Sequence, residues 1–265
     1  MRRRLDTELV RRGLVESRAR AQQAIDAGRV LVSGAPADRP ARLVDPAEPI
    51  HLTGPAPRFV SRGGEKLDAA LERFSIDVRD RRAVDLGAST GGFTDCLLQR
   101  GAARVVAVDV GHGQLDWSLR TDARVQVHEG ANIRHLTPID IGGPVDVAVA
   151  DLSFISLRVV APALAGMLSG EEGHAVFLIK PQFEAGRAEV GRGGIVSDPD
   201  VHRRVLAATA EALAAEGLVM VGVMASPLRG AAGNVEFLGH FRPGAGGGVG
   251  ADALEAAVAE GQRPG

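Results

Sequence analysis

One cysteine, Cys96, is all that this 265-residue chain contains. A lone thiol cannot close an internal disulfide, and none of the seven histidines has cysteine partners at metal-ligand spacing. Neither a disulfide framework nor structural zinc nor any other metal is therefore expected. No run of eighteen apolar residues is available to span a bilayer. The chain opens on Arg2, Arg3 and Arg4 followed by charged, amphipathic sequence, without the apolar core of a signal peptide. A cytoplasmic protein with no membrane segment is the expectation. Lysine is nearly missing too: of 31 basic residues only Lys66 and Lys180 are not arginine. Guanidinium stays charged, whereas an amine can release its proton in a tuned site. Two lysines kept in an arginine-biased chain point to a chemical use for them, although two surface lysines surviving by chance would leave the same composition.

What is present is ordinary globular material, 45% apolar, enough for one sizeable α/β domain and a smaller module. The net charge of −2 conceals an asymmetry. Residues 1–60 carry 11 arginines against 7 acidic residues, which leaves 20 basic against 26 acidic over 61–265. The amino-terminal end is the part suited to a polyanion.

Residues 1–60 read as two short helices and a strand-rich tail. Leu5, Leu9 and Val10 make one apolar helical face. Ser17 is placed to cap a second helix running through Ala27, and Gly28 to stop it. Val30-Leu31-Val32, a Ser33-Gly34 turn and Ile50-His51-Leu52 follow as extended pieces. The segment Thr53-Gly54-Pro55-Ala56-Pro57 reads as a linker, which divides the chain into 1–57 and 58–242. Arg4-Leu5-Asp6, Leu9 through Leu14, Ser17-Arg18, Ala21, Ile25, Gly28, Val30, Val32 and Gly34 resemble the RNA-binding domain first named for small-subunit ribosomal protein four. That resemblance implies a small α+β domain whose arginines, Arg4, Arg18 and Arg20 among them, meet RNA phosphates without reading sequence. A merely basic, solvated helix pair is the bland alternative.

From residue 83 on, apolar extended segments near 83–86, 104–109, 125–128, 145–150, 175–180, 219–225 and 235–241 alternate with helical ones near 64–73, 92–100, 114–120, 155–168 and 200–216. Such alternation predicts a doubly wound, mostly parallel seven-stranded α/β sheet of Rossmann type, with ligands at the strands' carboxyl ends. No internal repeat is evident. Residues 243–265, glycine-rich and then alanine-rich, read as a disordered or loosely helical tail.

Val84-Asp85-Leu86-Gly87-Ala88-Ser89-Thr90-Gly91-Gly92-Phe93-Thr94 is a strand running into a glycine turn that opens a helix, the form in which backbone closely approaches a nucleotide. The dinucleotide pattern G-x-G-x-x-G is absent, and so is the phosphate loop G-x-x-x-x-G-K-[ST]. The next strand ends at Asp109, about twenty residues on, where a carboxylate can accept from both ribose hydroxyls of a nucleoside. Both elements recur in enzymes that use S-adenosylmethionine. On that reading Asp85, Gly87, Ser89, Gly91, Gly92, Phe93 and Asp109 form the cofactor site, with Asn132 and Ile133 holding the adenine.

Asp151 and Lys180 end the fourth and fifth predicted strands and so face the same edge as the glycine turn. Lys66, Asp151, Lys180 and Glu236, in that order, resemble the Lys-Asp-Lys-Glu tetrad of ribose 2′-O-methyltransferases related to FtsJ. From residue 1 to about 241 the chain resembles the TlyA family, ribosomal RNA methyltransferases first catalogued as hemolysins. Ser61-Arg62-Gly63-Gly64-Glu65-Lys66-Leu67, Asp151-Leu152-Ser153-Phe154-Ile155-Ser156 and Ile179-Lys180-Pro181-Gln182-Phe183-Glu184 carry the likeness. One departure stands in Arg58-Phe59-Val60-Ser61, the stretch that corresponds to the family's interdomain linker, where Phe59 occupies a tryptophan's place. The resemblance implies 2′-O-methylation of cytidine in ribosomal RNA of one or both subunits, so ribosomal subunits are the expected partners and S-adenosylmethionine the cofactor. It implies Lys180 as base or hydroxyl-positioning group and Asp151 as its orienter. Lys66 and Glu236 fall to the RNA backbone or reacting ribose, and Arg62 to RNA. A structural salt-bridge cluster, a non-catalytic ribosome-assembly factor and a membrane-lytic protein are the competing readings.

Overall fold

Short apolar runs bounded by glycine and proline make the elements, and the order in which the strands assemble makes the site. A computed structural model of the chain describes every residue other than Met1, Glu16, Ala56, Ala231, Ala245, Pro264 and Gly265. Two compact units result, Met1–Ser61 and Arg62–Gly265.

The first unit runs β1 (Arg3–Arg4), α1 (Leu5–Arg11), α2 (Arg18–Asp26), β2 (Val30–Val32), β3 (Ala35–Pro36), β4 (Leu43–Val44) and β5 (Ile50–Leu52). The Ser17 hydroxyl accepts from the Arg20 amide to start α2, and Gly28 takes the left-handed φ of +66° that ends it. Leu5, Leu9, Ala21, Ala24 and Ile25 of the helices bury against Val30, Val32, Val44 and Ile50. Two antiparallel ladders, β1-β4 and β3-β2-β5, close the unit. Its end lies later than the proline-rich stretch predicts. Phe59 is buried, and its carbonyl accepts from Arg20 Nη1 at 3.0 Å and Gln23 Nε2 at 3.3 Å. Those bonds hold Arg58–Ser61 to the first unit.

The second unit begins with α3 (Gly63–Arg73), then β6 (Arg82–Leu86), α4 (Gly92–Gln99), β7 (Arg104–Asp109), α5 (Trp117–Arg120), β8 (Val125–Glu129) and β9 (Val147–Ala150). It continues through α6 (Ala161–Gly166), β10 (His174–Ile179), α7 (Pro181–Glu184), α8 (Pro199–Ala215), β11 (Leu218–Ala225), β12 (Phe237–Pro243) and α9 (Ala251–Gly261). The sheet order is β11-β12-β10-β9-β6-β7-β8, with β12 antiparallel to both neighbours and β8, β7, β6, β9 and β10 parallel. Central strands such as Val147–Ala150 are buried at every residue, as sheets covered on both faces require. Chain order reverses between β6 and β9, so the crevice of this doubly wound sheet opens beside their carboxyl ends.

Register carries the site residues to that edge. Leu86 pairs with Val108 and Ala150, and Ile179 with Phe237, so Gly87, Asp109, Asp151, Lys180 and Glu236 all leave the sheet on one side. Two expectations need correction. The helix predicted over 155–168 is a 3-10 turn, Leu157–Val159, followed by the shorter α6, because Pro162 can sit only in a helix's first turn. The tail predicted from 243 is largely the packed helix α9: Leu254, Ala257, Val258 and Gly261 form an i, i+3, i+4, i+7 stripe buried against the core. A Cβ on Gly261 would stand 2.6 Å from Val235 Cγ1, which shows how closely α9 lies on the sheet.

Candidate active site

After β6 the backbone turns sharply. The amides of Gly87 and Ala88 both donate to the Val108 carbonyl, at 2.8 and 3.0 Å. Gly87 has φ +84°, and a Cβ there would lie 2.7 Å from the Asp151 carbonyl oxygen. Gly91, φ +97°, is the N-cap of α4, and a Cβ on it would overlap Leu115 and Leu119. Ser89 holds a left-handed φ of +49° although it is not glycine. The Asp109 carboxylate receives the Ser89 amide on Oδ2 at 2.8 Å and the Gly111 amide on Oδ1 at 2.7 Å. Each oxygen keeps a second lone pair, so the same carboxylate can still accept a pair of ribose hydroxyls. Asn132 is exposed, with Oδ1 capping the turn Ile133–His135 through the Arg134 amide, and Ile133 packs half-buried against the core. Gly92 begins α4 and is buried.

Two residues assigned to this site by sequence lie beneath it. Asp85 is fully buried; its Oδ2 accepts the Thr94 amide at 2.9 Å and hydroxyl at 2.7 Å, and its Oδ1 has no partner. Burial pushes its carboxyl up to about 7 against the pull of Thr94, and the charges of Asp151 and Asp109 add to the rise. Asp85 thus braces the first turn of α4 from below. Phe93 is likewise only 3% exposed. Asp85 points inward because side chains alternate along β6, and Phe93 because it lies on the buried face of α4.

The four tetrad residues meet as two ion pairs. Lys180 Nζ lies 2.5 Å from Asp151 Oδ1 and donates to Ser153 Oγ at 3.0 Å. Asp151 Oδ1 makes no directed hydrogen bond, so its approach to the ammonium is an ionic contact. Lys66 Nζ donates to Glu236 Oε2 at 2.5 Å, and Gln182 Nε2 approaches Glu236 Oε1 at 3.5 Å. Lys66 and Glu236 are 8% and 4% exposed. A pair so enclosed offers little surface for a long contact along an RNA backbone, whereas a single reacting ribose asks for much less. Sequence reasoning missed Ser153, Gln182, Glu184 and Thr94, each beside a motif residue; only adjacency hinted at them.

In the first unit arginines gather on two buried carboxylates. Arg4 Nη2 and Arg18 Nη2 each stand 2.8 Å from Asp6 Oδ2, with the arginine side chains 47% and 63% exposed. Glu8, fully buried, accepts from Arg11 and Arg12 at 2.6 and 2.8 Å. The guanidinium of Arg4, and then that of Arg18, hold the Asp6 carboxyl well below its ordinary range, and Arg11 with Arg12 bring Glu8 down to about 2. Arg20 reaches the Phe59 carbonyl, and in the second unit Arg62 donates to the Arg229 carbonyl at 3.0 Å.

Residues 59–242 match the FtsJ-like methyltransferase family and residues 3–50 the S4 domain. The chain is 52% identical over 96% of its length, and 95% of the relative's, to the 16S/23S rRNA (cytidine-2′-O)-methyltransferase TlyA of Mycobacterium tuberculosis. It is 41% identical, over 90% of its length and 99% of the relative's, to Hemolysin A of Brachyspira hyodysenteriae. A solved structure described as a hemolysin from Streptococcus thermophilus superposes with a TM-score of 0.79 at 40% identity, covering 98% of this chain and 95% of that one. With its S4 domain placed ahead of an FtsJ-like catalytic domain, the chain belongs to the TlyA family of FtsJ-like methyltransferases.

Proposed function

We propose that this protein transfers a methyl group from S-adenosylmethionine to the ribose 2′-hydroxyl of a cytidine in ribosomal RNA, acting in the cytoplasm on ribosomal subunits. The observation that carries the reading is the Lys180 ammonium held between Asp151 and Ser153 at the carboxyl edge of β9 and β10, one strand from the glycine turn. The turn Gly87–Gly92, the spare lone pairs of Asp109, and Asn132 with Ile133 suit an adenosine: a backbone cradle that a Cβ would fill, a ribose acceptor, and a capped turn for the base. When bound, S-adenosylmethionine supplies an electrophilic methyl carbon on sulfur.

The chain's residues have the remaining work of orientation and proton handling. Lys180 donates to the 2′-hydroxyl oxygen as an ammonium, or takes the hydroxyl proton as a neutral amine that has first released one of its own, with Asp151 and Ser153 limiting where its nitrogen can point. Lys66 and Glu236, paired and enclosed, brace the cluster from α3 and the start of β12. Asp85 acts through Thr94 and keeps the glycine turn in shape. Arg4 and Arg18, preset by Asp6, contribute phosphate contacts together with Arg20 and Arg62. No helix among the described residues is long and apolar enough to cross a membrane. Incubating the purified protein with isotopically labelled S-adenosylmethionine and each ribosomal subunit, then mapping the modified nucleotide, tests the proposal. Label on a base, on protein or nowhere would overturn it.

A further inference from the structure

Glu184 is a buried carboxylate four residues after Lys180. It closes α7, the single turn that follows Lys180, and it is 5% exposed. A carboxylate is rarely enclosed to that degree unless its lone pairs are taken up, and these are. Oε2 accepts the Ser156 hydroxyl at 2.5 Å and Arg158 Nε at 3.2 Å, Oε1 accepts the Leu157 amide at 2.6 Å, and Arg158 Nη2 reaches the Glu184 carbonyl at 2.5 Å. These donors belong to Ser156, the N-cap of the 3-10 turn that follows the Asp151 loop, and to Leu157 and Arg158 within that turn.

The loop is thereby tied at both ends. At its start the Asp151 amide donates to the Leu86 carbonyl at 3.1 Å, and at its end Glu184 grips Ser156, Leu157 and Arg158. Between the ties lie Asp151 and Ser153, the two partners of Lys180, and Phe154 with φ +63°. A bulky residue leaves the left-handed region when its surroundings allow. The far tie follows two residues on, and the Phe154 ring rests on that of Phe183, centroids 5.2 Å apart, so both its chain and its side chain are constrained from the α7 side. Glu184 and Lys180 share one helical turn, so the carboxylate fixes the distance between the strand end bearing the amine and the loop bearing the groups that aim it.

We propose that Glu184 is a positioning residue that holds the Asp151–Ser156 loop in register with Lys180; the catalytic consequence, though not the geometry, rests on the methyl-transfer reading above. The two-lysine composition permits a direct test on the full-length chain. Labelled with [13Cε]lysine, the protein gives two ε-methylene signals, assigned through a Lys66→Arg variant. Glu184→Gln keeps the side chain's shape and removes its charge. It is expected to shift the Lys180 signal while leaving that of Lys66 in place, and to slow single-turnover methylation by about 10- to 100-fold with affinity for S-adenosylmethionine retained. Combined with Lys180→Arg, its loss should be smaller than the product of the two separate losses, because both changes break one arrangement. Ser156→Ala, which deletes one donor and little volume, should move the Lys180 signal in the same direction; it decides the matter if Glu184→Gln does not fold. An unmoved Lys180 signal, or losses that multiply, would overturn the proposal. Wild-type protein without methyl transfer would defeat the functional reading instead, and the lysine spectrum would still decide the positioning role.

Discussion

Lys66 and Glu236 are 170 residues apart in the chain and 2.5 Å apart in the fold, with side-chain exposures of 10% and 4%. The contact joins α3 to the residue preceding β12, so it forms only when the whole second unit has closed. Removing one member strands the other charge in a poorly solvated place, typically at about 3–5 kcal/mol. Lys66→Met and Glu236→Gln should each destabilise the protein by that order in urea denaturation. The double variant should recover part of the loss. Single-variant changes within about 0.5 kcal/mol would mean that the pair is not held in solution.

Lys180→Arg conserves charge and much of the reach but replaces a compact amine by a planar fork. With the amine handling the ribose proton, single-turnover methylation should fall by about 10²- to 10⁴-fold, while melting temperature and S-adenosylmethionine affinity stay near wild type. Near-normal chemistry in this variant would reduce Lys180 to a holder of charge.

Asp109→Ala takes away the acceptor of the Ser89 and Gly111 amides and the proposed ribose contact together. Calorimetric affinity for S-adenosylmethionine should weaken by about 1.5–3 kcal/mol. Unchanged affinity would remove Asp109 from the site, and affinity for NAD in place of S-adenosylmethionine would sink the cofactor assignment.

Asp85 supplies a pH signature. Its carboxyl is raised to about 7 when folded, against about 3.9 unfolded, so the folded state holds its proton more tightly. Stability is therefore favoured below pH about 4 and is lost progressively as pH rises through 7. Asparagine can still accept both Thr94 bonds and carries no charge to bury. Asp85→Asn should melt higher than wild type at pH 8, with the gap closing as pH falls toward 5. A gap that is constant across this range would show that Asp85 does not titrate there.

The arginine-bearing unit should fail in the opposite direction. The folded carboxyls of Asp6 and Glu8 lie below their unfolded values, which are about 3.9 and 4.3. Their contribution is complete above those values and disappears as pH falls toward 2. A 1–61 fragment should lose far-UV helicity over that interval, and Asp6→Asn with Glu8→Gln should flatten the transition. The complementary fragment 62–265 should fold yet methylate ribosomal subunits poorly; full activity would make the first unit dispensable.

Much was legible in the sequence because it is written locally. Runs such as Val147–Ala150 and Phe177–Ile179 announce central strands, the glycines at 87, 91 and 92 announce a tight turn, and motif positions at strand ends announce an edge site. Periodicity and turn chemistry act over a few residues, so they survive without tertiary context. Pairing does not. That Lys66 takes Glu236 and Lys180 takes Asp151 depends on strand order and on the Ile179–Phe237 register. Asp85 and Phe93 read as ligand-facing because their neighbours are, and only the packed sheet and α4 decide that they point inward. The stripe Leu254, Ala257, Val258 and Gly261 was hidden by alanine-rich composition, whose hydrophobic contrast is low, until β11 and α8 offered a surface to bury it against. The sequence by itself therefore determined the elements and the edge at which chemistry is placed. Which charges meet, which are buried and which loops are tied was decided by the tertiary structure, since those depend on distances between segments that local propensity does not encode.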